Sequence, residues 1–329
     1  MKHIIRDFQE GDYEACAAIS NLVDPDHPTS VPEMRQRDRL RKSFHFYGRL
    51  VAVDRNSDEV VADATLGHGI FQYNKDVLFT RILVLPSHQR QGIGTGLYQR
   101  FERIWLESGV PRLRTEVSEN QGPGLEFVKR LGFQEHHRVF ESKLDVTNFD
   151  FASVQDPMLR LKSEEIVLTT LEDEIKNDPF VKAYPAVKRA YEICNHCAID
   201  IPTPDPPNPL SLETFLALTI ESPLALVSGL QLAKHEDRYV GVSILAQSPK
   251  ENELLQRLTG VHREYRKRGI AFALKLQGIR FAQAQGARFI RTNNDTINTG
   301  MLAINRALGF VAEPSWINFE KSRDSISSR

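Results

Sequence analysis

LVLPSHQRQGIGTGL, at residues 83–97, returns later in the chain as GVHREYRKRGIAFAL, at residues 260–274. The offset of 177 positions between these stretches also separates Gly109 from Gly286. Repeats in solenoid proteins run about 20–50 residues, so a period of this length is the size of a whole domain. The sequence therefore predicts two copies of one fold.

The length of the chain and the composition of its middle agree with two domains. At 329 residues the chain exceeds the roughly 250–300 residues beyond which single cores divide. The segment DVTNFDFASVQDPM, at 145–158, is polar and lacks the periodicity of a helix or strand. We therefore expect a first domain over residues 1–150 and a second over residues 158–329.

The charge and apolar content of the chain exclude several kinds of partner. A formal net charge of −1, from 42 basic and 43 acidic residues, gives no general attraction for nucleic acid or an anionic membrane. No run approaches the roughly 20 apolar residues that span a bilayer, and the N-terminus lacks an apolar signal core. Cys194 and Cys197 flank His196, but no second Cys/His cluster accompanies them, so we expect no metal. We expect a cytoplasmic protein.

Strand-like runs precede the repeated stretch, and helical patterns follow it. In the first copy, β-branched runs at 44–54, 59–67 and 77–85 indicate three successive strands, and residues 92–106 place apolar side chains on one helical face. The second copy repeats this order, with its long helix at 269–285. Strands outnumber helices and cluster before the repeated stretch, which favours an α+β fold with a mixed sheet.

The junction between strand and helix has the chemistry of an anion site. We name Gln89–Gly94 the first loop and Arg266–Ala271 the second loop. The first amides of a helix lack internal partners, and glycine or alanine lets a phosphate approach them. Arg90 in the first loop and three consecutive basic residues in the second add positive charge. A Rossmann or Walker A motif fits worse, because Leu97 stands where a third glycine is required and Gly-Lys-Ser/Thr is absent.

The spacing V-x-P-x-x-Q/R-x-x-G-x-G/A resembles the acetyl-CoA signature of the GNAT acetyltransferase superfamily. The first copy meets it with Val84, Pro86, Gln89, Gly92 and Gly94. The second copy keeps the spacing but carries Arg263 at the proline position. The order of motifs in both copies also resembles tandem GNAT proteins such as mycothiol synthase. This resemblance implies two GNAT-like domains, each a mixed, mostly antiparallel sheet with helices on both faces.

The resemblance also implies that acetyl-CoA is the co-substrate. Its pyrophosphate would lie on the loop and its pantetheine arm along the preceding strand. The expected contacts are Val84, Gln89, Arg90, Gln91, Gly92, Ile93, Gly94, Thr95 and Asn120 in the first copy, and Val261, Arg266, Lys267, Arg268, Gly269, Ile270, Ala271 and Asn298 in the second.

The implied reaction transfers an acetyl group to a primary amine of a small molecule by direct attack on the thioester. A base must take the proton of the attacking amine. Asp76 and Glu253 are 177 positions apart, each eight residues before the strand-end valine, and we name them as candidate bases. The competing interpretation is a pair of solvent-facing residues at strand entry. Glu116 and His262 are the alternative bases.

Both copies depart from the family at one catalytic position. Many relatives carry a tyrosine acid five positions before the final phenylalanine, where this chain has Val128 and Asn305. Two other functions therefore stay open: a non-catalytic acyl-CoA binding or sensing protein, and a protein N-acetyltransferase. The more basic loop and the asparagines at 294, 298 and 305 favour the second copy as the catalyst.

Overall fold

The computed structural model describes residues 2–42, 46–70, 73–176, 184–205 and 208–324. In chain order the strands are β1 (His3–Asp7), β2 (Tyr47–Asp54), β3 (Val60–Gly67), β4 (Val77–Val84), β5 (Arg112–Ser118), β6 (Gln134–Asp145), β7 (Ile166–Thr170), β8 (Leu230–His235), β9 (Arg238–Gln247), β10 (Glu253–Val261), β11 (Phe289–Asp295), β12 (Val311–Ala312) and β13 (Trp316–Ser322). The helices are α1 (Tyr13–Val23), α2 (Val31–Lys42), α3 (Ile93–Ser108), α4 (Gly122–Arg130), α5 (Met158–Ser163), α6 (Leu171–Lys176), α7 (Tyr184–Ile199), α8 (Leu212–Thr219), α9 (Ile270–Ala284) and α10 (Thr299–Ala307).

The chain folds into two compact units. Unit 1 comprises Met1–Arg138 and Trp316–Arg329, and unit 2 comprises Val139–Ser315. Both contain a mixed sheet and helices, which confirms the α+β class. No helix within the described ranges combines the length and apolar character needed to cross a membrane.

The sheet of unit 1 pairs in the order β1-β2-β3-β4-β5-β13, antiparallel except for the parallel pair β4–β5. Successive residues of a strand point to opposite faces, so β2 supplies two cores. Leu50 and Ala52 belong to the core formed with α3, whereas Val51 and Val53 pack with α1 and α2. Phe101 of α3 is fully buried, and a side chain of this size contributes about 1.5–3 kcal/mol when buried.

The sheet of unit 2 pairs in the order β7-β8-β9-β10-β11-β6, where β6 contributes residues 139–145. Its one parallel pair among the described strands is β10–β11. Leu232 and Val242 pack with α7 on one face, and Ala233 and Val240 pack with α9 on the other.

The units do not follow the sequence ranges 1–150 and 158–329, because two strands are exchanged. β13 equals residues 139–145 shifted by 177 positions, yet it pairs with β5 in unit 1, while residues 139–145 pair with β11 in unit 2. Ion pairs fix each exchanged strand: Arg114 of β5 lies 2.6 Å from Glu320, and Arg291 of β11 lies 3.2 Å from Glu141. Each unit therefore closes its sheet with a strand from the other sequence copy.

The segment between the copies is ordered by packing. Phe149, Phe151 and Val154 pack against the core of unit 2 that contains α9. Leu161 of α5 is fully buried against Ile270. The polar composition of residues 145–158 did not indicate that their few apolar side chains would pack in the core.

Candidate active site

The first loop holds a conformation that requires two left-handed residues. Arg90 has φ 61° and Gly92 has φ 83°. The Gln89 Nε2 donates to the Val84 carbonyl at 3.1 Å, and the Gln91 Nε2 donates to the Ser87 carbonyl at 3.2 Å. These bonds tie the loop back to the end of β4.

The second loop repeats this conformation. Lys267 has φ 62° and Gly269 has φ 88°. The Arg266 Nε donates to the Val261 carbonyl at 3.1 Å, and the Arg268 Nη2 donates to the Glu264 carbonyl at 3.2 Å. Four of the predicted cofactor contacts thus have side chains that brace their own loop: Gln89, Gln91, Arg266 and Arg268.

The main chain of the first loop supplies the donors for an anion. The N–H groups of Gln91 to Thr95 donate to no acceptor in the part of the chain that the structure describes. Ile93 is 2% exposed, so only its backbone can contact a ligand. Gly94 lies against Phe127, where an added Cβ would be 3.4 Å from the ring. An α3 N-terminus with free amides favours a bound anion.

The space around the first loop is open. A Cβ added at Gly92 would meet no atom within 4 Å. Arg90 is exposed and makes no hydrogen bond or ion pair with any described residue. Both the glycine and the arginine are therefore accessible to a ligand.

The space around the second loop is filled. A Cβ added at Gly269 would lie 2.8 Å from the Cβ of Pro157, so this proline packs directly on the loop. The Arg268 Nη1 donates to Glu164 at 3.1 Å. Asp200 binds both Arg263 and Arg266.

The charges of Arg266 and Arg268 are thus paired within unit 2, whereas Lys267 is exposed and has no ion-pair partner among the described residues. The hydrogen bond from Arg263 lowers the pKa of the Asp200 carboxyl below its ordinary range, and the bond from Arg266 lowers it further. Asp200 is therefore an anion at neutral pH and pairs with an arginine of this loop. Gly260 lets α7 pack closely on β10, because a Cβ there would lie 2.7 Å from the Sγ of Cys197 on α7.

The parallel strands of each unit separate into a fork beside the loop. β4 and β5 pair only from Val77↔Arg112 to Phe79↔Arg114. β10 and β11 pair from Glu253↔Phe289 to Gln256↔Thr292. One residue past the last paired rung of unit 1, the buried Thr80 Oγ1 has no hydrogen-bond partner among the described residues.

Two charged side chains flank the fork of unit 1. Arg81 and Glu116 each lie two residues past the last paired rung, so both side chains project from the face that carries α1 and α2. Arg81 donates to the Ser20 Oγ of α1 at 3.3 and 3.4 Å. Glu116 has no hydrogen bond or ion pair within the described residues.

The surroundings of Glu116 affect the charge of its carboxyl. Its side chain is exposed, yet desolvation by the surrounding protein raises the pKa of its carboxyl, and the charge of Arg81 lowers it only in part. In the second copy the equivalent positions, shifted by 177, are Leu258 and Asn293, so that fork has neither charge.

Comparison with known proteins agrees with this geometry. The model of the acetyltransferase (GNAT) family matches residues 16–133 and 190–310. The chain belongs to the GNAT acetyltransferase family. It is an acetyltransferase with two GNAT domains, and acetyl-CoA is the acetyl donor of this family.

Solved structures share the fold over the whole chain. A GCN5-related N-acetyltransferase from Sphaerobacter thermophilus is 16% identical, with 98% of this chain and 96% of that chain covered and a TM-score of 0.66. A tandem GNAT protein from the clavulanic acid biosynthesis pathway is also 16% identical, with coverage of 97% and 98% and a TM-score of 0.66. A glucosamine N-acetyltransferase region of a fungal β-N-acetylglucosaminidase is 14% identical, with coverage of 97% and 38% and a TM-score of 0.70. At these identities the likeness shows the shared fold alone.

The two carboxylates named as bases from the sequence lie at the closed ends of the forks. Asp76 precedes β4 and is three residues before the last paired rung. Glu253 opens β10, is 5% exposed and lies 3.2 Å from the guanidinium of Arg291. Neither carboxylate is at the point where the strands separate, whereas Glu116 lies two residues past the last paired rung of unit 1.

His262, the other alternative base, lies in the wall of a cavity of about 520 Å³ in unit 2. Its ring stacks on His196 at a centroid distance of 4.0 Å, and its Nε2 accepts from Arg238 at 2.6 Å. Desolvation, then the charges of His196 and Arg238, lower the pKa of His262. His262 therefore lies at the end of β10, in contact with His196 and Arg238, and not at the fork.

The asparagines and the tyrosine positions have local structural roles. Asn298 caps α10, because its side chain accepts from the Met301 N–H at 3.3 Å. The equivalent N-cap of α4 is Gln121, so Asn120 lies one residue outside the expected position. Val128 is 6% exposed in the core of unit 1. Asn305 donates to the Asn294 Oδ1 at 2.6 Å in unit 2.

The structure gives no sign of a metal centre in the residues that it describes. Within those ranges, no three His, Cys, Asp or Glu side chains are grouped as metal ligands. Cys194 and Cys197 are buried on α7, and desolvation raises the pKa of both thiols, which leaves them protonated.

Proposed function

We propose that unit 1 binds acetyl-CoA at the first loop and transfers its acetyl group to a primary amine of a small molecule. The observation that carries this proposal is the difference between the two loops. The first loop has open space at Gly92, whereas Pro157 packs on Gly269 and the carboxylates of Glu164 and Asp200 bind arginines of the second loop. This choice of copy reverses the preference drawn from the sequence.

The residues present in unit 1 fit the cofactor. The N–H groups of Gln91 to Thr95 and the dipole of α3 suit a pyrophosphate. Arg90 is placed to add a positive charge at the loop. The fork beyond Phe79↔Arg114 leaves strand edges that can bind the pantetheine arm, and the orphaned Thr80 Oγ1 lies there.

The side chains at the fork supply the acid–base chemistry. Acetyl-CoA provides an acetyl thioester whose C–S bond is replaced by an amide bond to the acceptor nitrogen. Glu116 accepts the proton that the amine loses, because it lacks an ion-pair partner and its pKa is raised toward neutrality by desolvation. Since Val128 stands at the usual tyrosine position, the proton for the released thiol comes from water.

The position of α1 beside the fork is our reason for proposing a small acceptor. Ser20 of α1 accepts hydrogen bonds from Arg81, which lies across the fork from Glu116. We infer that this helix favours a small amine over the extended segment of a protein.

Incubation of the full chain with acetyl-CoA and a panel of small primary amines tests this function. Release of free thiol that depends on the amine is the expected result. Calorimetry with CoA is expected to show a single site. Absence of thiol release with every amine, in a chain that binds CoA, would leave a binding protein instead.

A further inference from the structure

Three arginines converge on one face of the fork in unit 1. Arg81 lies on β4, and Arg37 and Arg41 lie one turn apart on α2. Burial lowers the pKa of Arg81, the charges of Asp63 and Asp24 raise it, and the charges of Arg37 and Arg41 lower it. Arg37 and Arg81 are exposed on this face, so a ligand can reach them.

The carboxylates beside this cluster already have partners. Asp38 accepts from Arg49, Tyr13 and Tyr47 at 2.6, 3.0 and 2.6 Å. Asp63 accepts from Arg49 at 2.8 Å, and Asp24 accepts from His27 at 2.8 Å. Glu33 lies 3.6 Å from Arg37 and also accepts from the Ser30 N–H. These carboxylates therefore form ion pairs with Arg37 and Arg49, but not with Arg41 or Arg81.

Four carboxylates balance the four arginines of this region, but Arg41 and Arg81 are not held in a direct ion pair. Arg41 lies 5.7 Å from the centroid of the Tyr47 ring, and Arg81 reaches only the neutral Ser20 hydroxyl. Neither forms an ion pair with a described residue. An exposed arginine without an ion-pair partner can bind an anionic group, and the guanidinium fork matches a carboxylate or phosphate group.

Glu116 lies across the fork from Arg81 at the same register. The partner of Glu116 on β13 is Asn318, which is 2% exposed and whose Nδ2 has no hydrogen-bond partner among the residues described. An acceptor at the mouth of the fork would thus meet the positive charge of Arg81 on one strand, and Glu116 beside an unused donor on the other.

We propose that the acceptor is a small amine that also carries an anionic group, a carboxylate or a phosphate-like oxyanion. Arg81 binds the anion, with Arg37 and Arg41 at its outer side. The amine then faces Glu116 at the mouth of the fork. This inference rests on the proposed function of unit 1 and adds the class of its substrate.

The second copy lacks the whole arrangement. The positions equivalent to Arg37, Arg41 and Arg81 are Thr214, Leu218 and Leu258. The cluster is therefore particular to unit 1 and is not a requirement of the shared fold.

The test compares acceptors that differ only in the anionic group. The full chain and acetyl-CoA are incubated with a carboxylate-bearing amine, its phosphonate analogue and its neutral carboxamide, and kcat/KM is measured by thiol release. A hydrogen-bonded charge pair is expected to favour the anionic amines by about tenfold to a hundredfold. The ratio between carboxylate and phosphonate identifies the preferred anion.

Arg81→Gln is expected to remove this preference by lowering kcat/KM for the anionic amines alone. The matched control is Arg103→Gln, an exposed residue of α3 without a described partner, which is expected to keep the preference. The Kd for CoA should be unchanged in both variants. Equal rates for charged and neutral amines, or a preference that survives in Arg81→Gln, would overturn the inference while leaving the acetyltransferase assignment to unit 1 intact.

A binding measurement separates this inference from the proposed function. If no amine is acetylated, the proposed acetyltransferase function of unit 1 is wrong. The anion site is then tested separately, by calorimetric titration of the carboxylate-bearing amine into the protein with CoA. Binding that Arg81→Gln weakens supports the anion site. Absence of binding to the original chain, or binding equal in both proteins, overturns it.

Discussion

The first and second loops have the same backbone and opposite surroundings. Each loop has two residues with left-handed backbone conformation. Each also has two side chains that donate hydrogen bonds to backbone carbonyls at equivalent positions of the two copies. Around the first loop there is open space, while in unit 2 Pro157 lies on Gly269 and carboxylates bind the arginines. A repeated motif therefore preserves a fold, and the contacts around it decide whether a ligand can bind.

The largest expected effect comes from closing the first loop. In Gly92→Glu the new glutamate must adopt the left-handed backbone conformation, which costs about 1–2 kcal/mol of conformational free energy. Its carboxylate would also lie where the pyrophosphate is proposed to bind. We expect affinity for CoA to fall by about a hundredfold or more in calorimetry.

The second loop provides the matched variant. Gly269→Glu is expected to leave the Kd for CoA unchanged but to lower the melting temperature, because Pro157 lies 2.8 Å from the position of its Cβ. The opposite pattern, with CoA binding lost only in the second variant, would reverse the assignment of the two units.

The next effect concerns the base that only one copy possesses. Glu116→Gln should lower kcat/KM by about a hundredfold or more. Since desolvation raises the pKa of Glu116 and its ionised form is the base, activity should fall as the pH drops through that raised pKa. The variant should lose this acidic limb of the pH profile.

Asn293→Ala is the control for the base, because Asn293 occupies the equivalent position in unit 2. Its pH profile is expected to match that of the original protein. An unchanged profile in Glu116→Gln would remove this carboxylate from the mechanism.

A smaller effect, on the stability of unit 2, is expected from the ion pairs beside the second loop. Asp200→Asn weakens the ion pairs with Arg263 and Arg266 and should lower the free energy of unfolding by about 1 kcal/mol at pH 7. Because the pKa of Asp200 is lowered in the folded state, this stabilisation is fully present above the unfolded pKa of about 3.9. It decreases progressively as the pH falls from that value through the lower folded-state pKa. Urea unfolding at pH 7 and pH 3 measures the difference. An equal difference at both pH values would contradict the ion-pair explanation.

The smallest effect concerns single charges on the loops. Arg90→Gln should weaken CoA binding by about two- to fivefold, and less at high salt, since Arg90 is exposed. Lys267→Gln, at the equivalent position of the second loop, should leave the Kd unchanged. A larger effect in Lys267→Gln would show that the second loop also receives a cofactor.

The local structure could be predicted from the sequence because short-range patterns determine it. The apolar spacing after Gly92 and Gly269 predicts α3 and α9, which begin at Ile93 and Ile270. The glycine spacing also indicates the left-handed turn. These features depend on neighbours within a few residues, so the sequence contains them directly.

The strand exchange and the cover of the second loop depend on contacts between distant residues. Nothing adjacent to Trp316 in the sequence indicates that it pairs with Ser118. Similarly, Pro157 precedes Gly269 by more than a hundred residues, so its packing on that loop is a tertiary event.

Asp76 and Glu253 were predicted as bases because they recur in both copies, and their role stays a prediction. Residues that recur in both copies maintain what the copies share, and Glu253 does so through its ion pair with Arg291. The useful signal was a difference: Arg81 and Glu116 become Leu258 and Asn293. In a duplicated chain, chemistry confined to one copy is found where the copies diverge.

The exchanged strands also set the order in which the units can be completed during synthesis. Unit 2 is continuous from Val139 to Ser315, whereas unit 1 needs β13, which starts at Trp316. On the ribosome, β5 must wait with an unpaired edge until nearly all of the described chain has been made. The N-terminal unit is therefore the last to be finished, contrary to the usual N-to-C order of domain folding. During that interval the waiting edge of β5 is the part of the chain most exposed to mispairing.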